Sequence, residues 1–176
     1  SFLSENEGWA VAVDINTEIY HYRNGIWSID TVVEHAPNNC IFFVDSSNGW
    51  IGGNTIWHYN GTVWSKYPSG PDSACINDIL FLAPDTGWAV GNSGKIFYYD
   101  GITWQQVSSP TTNNLKRIAF SPDHQIGWIV GEDGTILSNA TGIEEEKRSS
   151  RVIQGFQILP NPCSNSISIL YCLPSF

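Results

Sequence analysis

The sequence predicts an all-β chain built from four repeated units, and three observations predict it. The dipeptide Gly-Trp recurs at Gly8-Trp9, Gly49-Trp50, Gly87-Trp88 and Gly127-Trp128, a spacing of about 40 residues. Tight-turn dipeptides, Asn24-Gly25, Asn60-Gly61 and Asp100-Gly101, each lie between an upstream Tyr and a downstream Trp, the pattern of a short hairpin. Aromatic residues make up 13% of the chain, with sixteen Gly, nine Pro and no Met, a composition suited to pleated, half-buried strands joined by turns. No segment sustains the period of a helix. Four short strands in each unit of about 40 residues are the signature of a β-propeller blade, so the expected architecture is a β-propeller of four blade-like repeats forming part of a larger ring.

Each unit reads the same way in chain order. An apolar first strand ends at Phe2, Phe43, Phe81 or Phe120. A polar turn (DSSN, APDT or SPDHQI) leads into the Gly-Trp strand. That second strand barely alternates, as expected when both faces of a sheet are covered. A third strand ends in Tyr22, Tyr59 or Tyr99, and a fourth starts near Trp27, Trp64 or Trp104. Both central residues of the Asn-Gly and Asp-Gly turns are expected at positive φ, as type I′ geometry demands. Trp9, Trp50, Trp88 and Trp128 are expected to fill the space between blades, since buried aromatics dominate cores. The fourth unit lacks a Trp-bearing last strand. Its completing strand is expected upstream of Ser1, as when a propeller closes by lending an N-terminal strand to its last blade.

The division of the chain follows. Residues 1–142 hold the propeller repeats, 143–152 (IEEEKRSSRV) form a charged linker, and 153–176 resume apolar alternation after a Pro-Asn-Pro turn. The net charge of −9 repels phosphate backbones and anionic lipids, which disfavours nucleic-acid partners and binding to a membrane surface. No run reaches the roughly 18 apolar residues of a membrane span. Cys40, Cys75, Cys163 and Cys172 show no metal-ligand spacing, and either Cys40–Cys75 and Cys163–Cys172 pairing or free thiols fit the pattern.

Residues able to do chemistry have simpler explanations. Asp45, Asp85, Asp123 and Glu132 are turn residues at repeated places, better explained by turn preference than as a glycosidase carboxylate pair. His21 and His58 share a repeat position, taken by Tyr98 in the third unit, and repeat-equivalent residues spread round a ring cannot converge on one ion. His35 and His124 complete the four histidines of the chain. Arg23 and Arg117 alone cannot build the arginine clamp of a sialidase. No catalytic residue, cofactor or metal site is expected, although acidic turns such as Glu132-Asp133-Gly134 leave a Ca²⁺ ion open. The candidate ligand-binding residues are Asn54, Asn92, Lys95, Glu132 and Asp133. They sit on loops between second and third strands, which share a face with the inter-blade loops 36–39, 69–73 and 109–114. Such a face suits a protein or glycan ligand.

Two resemblances add to this reading. The repeats, above all GWAVGNSGKIFYYDGITW at 87–104, resemble the blades of photosystem-II-stability-factor-like propellers, relatives of the BNR/Asp-box propellers. Asp100-Gly101-Ile102-Thr103-Trp104 is a degenerate Asp box, one residue short between Asp and Gly. The tail is similar to the type IX (Por) secretion C-terminal sorting domain of Bacteroidetes-like bacteria. The matching residues are Leu159, Pro160, Asn161, Pro162, Ile167, Ile169, Tyr171, Leu173 and Pro174. That resemblance implies the first strands of a truncated β-sandwich tag, the type IX machinery as a partner, and a secreted or cell-surface address. The expected function is a non-catalytic interaction module. The alternatives are an accessory propeller of a secreted glycan-active hydrolase whose catalytic part lies outside this chain, and a periplasmic assembly factor.

Overall fold

A computed structural model describes residues 1–13, 16–33, 38–68, 70, 73–139 and 157–158. Four antiparallel sheets of four strands follow one another along the chain. The first holds β1 (Phe2–Ser4), β2 (Glu7–Val13), β3 (Thr17–Arg23) and β4 (Ile26–Val33). The second holds β5 (Asn38–Asp45), β6 (Asn48–Gly53), β7 (Ile56–Tyr59) and β8 (Trp64–Lys66). The third holds β9 (Ile76–Ala83), β10 (Thr86–Gly91), β11 (Ile96–Tyr99) and β12 (Trp104–Val107). In the fourth, β13 (Leu115–Phe120), β14 (Gly127–Gly131) and β15 (Ile136–Ser138) are joined by β16 (Gln157–Ile158). First strands of consecutive sheets lie against each other, β5 on β9 and β9 on β13. The first three four-strand units and their meander order match the expectation.

The Gly-Trp repeat has a steric cause. Neighbouring residues of a strand point to opposite faces, so Gly and Trp serve different sides of the blade. The Phe that ends each first strand lies flat over the glycine. A Cβ added at Gly8, Gly49, Gly87 or Gly127 would stand 2.5, 2.4, 2.6 or 2.7 Å from the ring of Phe2, Phe43, Phe81 or Phe120. On the other face the Trp projects towards the following blade. Trp9 stacks on Phe43 with ring centroids 4.6 Å apart and is flanked by Tyr59 and Trp64. Trp50 repeats the arrangement against Phe81, Tyr99 and Trp104. Trp9 and Trp50 are each 1% exposed, and β6 and β10 are buried along almost their whole length.

Three expectations are corrected. Trp128 is 38% exposed, because among the described residues no Phe-Tyr-Trp set lies against it. The Asn-Gly and Asp-Gly turns are not all alike. Asn24 and Gly25 both have positive φ, 50° and 88°, as type I′ requires. At the other two, only Gly61 (90°) and Gly101 (91°) do, placing glycine at the first central position as in a type II′ turn. There the preceding side chain becomes the anchor. Asn60 Oδ1 accepts the N–H groups of Thr62 and Val63, and Asp100 Oδ1 those of Ile102 and Thr103. Finally, the last strand of the fourth sheet is β16, taken from the tail segment, where Ile158 pairs with Leu137 and Gln157 with Ser138. The open edge of β15 is a template that a later extended segment can pair with. The linker 143–152, the rest of the tail and Cys163 and Cys172 lie outside the described residues. Cys40 and Cys75 are both free thiols.

Candidate interaction face

The loops joining second and third strands share a face with the inter-blade loops, as hydrogen bonds between them show. Asn92 N–H donates to the Cys75 carbonyl at 3.2 Å, Gly94 N–H to Asn113 at 2.9 Å and Glu132 N–H to Asn114 at 2.8 Å. The loops at 73–75 and 109–114 are therefore clamped between the turns of the blade they leave and the blade they enter. The turns Asn92–Lys95 and Glu132–Thr135 both place a positive-φ pair at their tip, Ser93-Gly94 and Asp133-Gly134. Gly94 cannot be replaced freely, since a Cβ there would lie 1.8 Å from the Thr111 carbonyl oxygen.

The five candidate residues fall into two groups on this face. Asn54, Asn92 and Lys95 surround the segment 73–75. Asn54 Oδ1 accepts from the Cys75 thiol at 3.6 Å, Asn92 Oδ1 accepts from Asn77 Nδ2 at 2.8 Å, and Lys95 Nζ donates to the Ser73 carbonyl at 3.1 Å. Glu132 and Asp133 stand one blade further on. Both Glu132 oxygens are engaged, with Lys116 Nζ at 2.7 Å and Asn114 Nδ2 at 2.8 Å. The Lys116 ammonium holds the Glu132 carboxyl below its usual range. Asn54, Glu132 and Asp133 are exposed, whereas Asn92 and Lys95 are half-buried. These groups order the loops first and offer an outward rim second.

Beneath the loops lies a polar clasp that the sequence reading did not single out. Asn39 Nδ2 donates to the Ile76 carbonyl at 2.9 Å, and its repeat equivalent Asn77 donates to the Leu115 carbonyl at 2.7 Å. One residue along, Asp78 Oδ2 accepts the Ile118 N–H at 3.0 Å. Burial raises the Asp78 carboxyl above its usual range, against the effect of that bond. Cys40, at the same repeat position, donates to the Gly52 carbonyl at 3.7 Å, and burial pushes its thiol up to about 12. The pair Asn39/Asn77, two residues into β5 and β9, was the available sequence signal.

The remaining polar candidates have structural roles. His21 is 2% exposed and stacks on Trp9 at 3.6 Å, with Glu7 Oε1 3.5 Å from its Nε2. His58 backs Trp50 at 4.2 Å, and Asn48 Oδ1 bridges its Nε2 and the Trp50 indole N–H at 3.1 and 2.7 Å. Tyr98 backs Trp88 in the same way. Asp45 accepts from Ser47, and Asp123 accepts from Ser121 and Gln125, as turn residues do. Among the described residues no three His, Cys, Asp or Glu side chains cluster as metal ligands would.

No protein family matches the chain, and no curated protein matches it. Solved structures do. YCF48 from Cyanidioschyzon merolae superposes with a TM-score of 0.57 at 21% identity, over 77% of this chain and 52% of that one. YCF48 bound to D1 peptide gives 0.62 at 22% identity, over 81% and 49%. The fold is a β-propeller. A candidate 6-phosphogluconolactonase from Bacteroides uniformis also matches, with a TM-score of 0.50 at 14% identity over 78% and 54%. The chain spans about half the length of each of these structures, and the likeness at such identities carries the propeller fold alone.

Proposed function

We propose that this chain is a non-catalytic interaction module that binds a protein partner through the face formed by its inter-strand and inter-blade loops. The observation that carries the reading is the loop clamp. Turns hydrogen-bonded to neighbouring blades present Asn54, Glu132 and Asp133 to solvent on a backbone already fixed, so little ordering entropy opposes binding. The similarity to a YCF48 structure bound to D1 peptide supports a polypeptide rather than a sugar as the ligand class. The ionisable side chains around the face serve turns and clasps, which supports binding over catalysis. Parallel peptide and glycan arrays probed with the purified chain test this. Peptide signals weakened at least fivefold by Asn54→Ala or by Glu132→Ala with Asp133→Ala are expected. Signals confined to glycans, or unmoved by these variants, overturn it.

We propose in addition that residues 153–176 belong to an export signal and that the protein works outside the cell or on its surface. The Pro160-Asn161-Pro162 turn with Tyr171, Leu173 and Pro174 supports this. Alanine replacement of Pro160, Asn161 and Pro162 in the full-length protein of a type IX-competent bacterium should retain it inside the envelope. Undiminished export refutes the proposal.

A further inference from the structure

One register position sets how each joint between blades is closed at its outer edge. In the second blade it belongs to Tyr67, whose N–H donates to the Ile56 carbonyl just after β8. In the third blade it belongs to Val107, opposite Ile96, and in the first to Thr31, opposite Ile19. Ile19, Ile56 and Ile96 are themselves repeat equivalents, each fully buried. Tyr67 leans across the second joint onto Trp50 and Tyr99, with ring centroids 5.0 and 5.8 Å away. Its hydroxyl donates to the Ile102 carbonyl at 2.8 Å and lies 3.1 Å from the Tyr99 hydroxyl. Val107 packs into the aliphatic cluster around Trp88.

Thr31 is too short to do either. In the first joint it lines a cleft of about 420 Å³, with Asp30 and Thr31 on one wall and Trp57, Thr62, Val63 and Trp64 of the next blade on the other. That volume is within the range of small-ligand sites, about 300–1,000 Å³. The second wall repeats the one that receives Tyr67. Trp64 is the equivalent of Trp104 and Thr62 that of Ile102, on hairpins of one geometry, with positive φ at Gly61 and Gly101 and the anchors Asn60 and Asp100. The Thr62 carbonyl thus holds the place of the Ile102 carbonyl that takes the Tyr67 hydroxyl. Asp30, the extra residue of the bulge between Ile29 and Thr31, is exposed and adds a carboxylate to the rim. The cleft lies at the hairpin end of the strands, away from the loops that carry Asn54, Asn92 and Lys95, and is a second site.

We propose that this cleft takes the phenol ring of a tyrosine side chain on a partner polypeptide, seated as Tyr67 seats in the next joint, with its hydroxyl donating to the Thr62 carbonyl. A ring beside Trp57 and Trp64 gains the edge and offset contacts that aromatic pairs prefer. The Asp30 carboxylate disfavours a phosphorylated guest by like-charge repulsion. The indole N–H resonances of the full chain, followed by NMR during titration with N-acetyl-tyrosinamide, test this. A saturable shift at Trp57 and Trp64 is expected. The affinity should fall at least threefold for N-acetyl-phenylalaninamide, which lacks the hydroxyl, and at least tenfold for N-acetyl-phosphotyrosinamide. Thr31→Tyr, which supplies the ring from within, should abolish the response without lowering the thermal midpoint. Should that variant fail to fold, Tyr67→Thr makes the same vacancy in the second joint and should add a response at Trp104. No saturable shift at Trp57 and Trp64 overturns the proposal. So does a shift that Thr31→Tyr leaves intact, a folded Tyr67→Thr without the added response, or a stronger response to methyl β-glucoside, which would make the cleft a sugar site.

Discussion

The joint between the second and third blades and the joint between the third and fourth share one plan but differ in filling. Trp50 is enclosed by Phe81, Tyr99 and Trp104. Trp88 meets Phe120 at 6.1 Å, because Asn139 stands where the Tyr would be and the fourth blade has no matching Trp. Asn139 Oδ1 instead accepts the Gly127 N–H at 2.7 Å. Aliphatic residues make up the difference, with Val90, Ile96, Leu115, Ile118 and Leu137 clustering around Trp88. A repeat can therefore keep its backbone plan while exchanging aromatic interlock for aliphatic packing, and the two solutions should respond differently to the same perturbation.

The largest expected difference comes from removing the wedge itself. Trp50→Ala should cost about 3–5 kcal/mol, as deletions of buried tryptophans do. Trp88→Ala should cost less by about 1–3 kcal/mol, since aliphatic side chains pack around it where Tyr99 and Trp104 face Trp50, and each such aromatic pair is worth about 0.5–1.5 kcal/mol. Urea denaturation of both variants compares them, and equal losses would show that the aromatic set adds nothing beyond burial.

Next comes the floor of each socket. Gly87→Ala drives a methyl into Phe81, which is walled in by Tyr99 and Trp104, and should cost about 1–3 kcal/mol by overpacking. Gly127→Ala meets the half-buried Phe120, which has room to tilt, and should fall at the low end of that range or below it. A thermal midpoint lowered more by Gly127→Ala than by Gly87→Ala would reverse the comparison.

The polar clasp tests the third joint in a different way. Asn77 bonds both Leu115 O and Asn92 Oδ1, so Asn77→Ala should cost about 1–3 kcal/mol by leaving a buried carbonyl unpaired. Hydrogen exchange should show the loss concentrated in β13. Uniform loss of protection across all four blades would speak against a local clasp.

The smallest effect is that of pH. Burial lowers the pKa of His21, aided by Arg23 and opposed by Glu7 and Asp30, and burial lowers that of His58. Both imidazoles are favoured neutral in the folded chain. The unfolded state thus binds more protons below about pH 6.5, and stability falls as pH drops through that value towards the folded pKa. The first two joints carry these histidines, whereas the third has Tyr98. Between pH 7.5 and 5.5 the denaturation midpoint should fall for the wild type and much less for His21→Phe with His58→Tyr. Parallel falls would assign the effect elsewhere.

Much of this architecture could be read from the chain before any coordinates. The Gly-Trp spacing located every second strand, and the Tyr and Trp around the Asn-Gly and Asp-Gly pairs located the third and fourth. The turn types were not legible. Asn24-Gly25 and Asp100-Gly101 differ by one position of register, and the dipeptide does not say which residue is first in the turn. The clasp was hidden for another reason. Asn39 and Asn77 look like surface residues until the neighbouring strand brings the carbonyls of Ile76 and Leu115 within reach.

For the proposed interaction face, composition pointed to the loops between second and third strands but could not separate outward-facing residues from scaffolding. Asn92, Lys95 and Glu132 look alike as loop residues, and their different hydrogen bonds come from blades far away in sequence. By itself the amino-acid order determined the strands, their pairing within each blade and the side of the sheet each aromatic takes, because these depend on alternation and local sterics. The tertiary structure alone decided which tryptophans are enclosed, which polar groups are spent on the scaffold and which faces remain open. Burial belongs to whatever a neighbouring blade places opposite a side chain, and a residue's own repeat does not encode its neighbour.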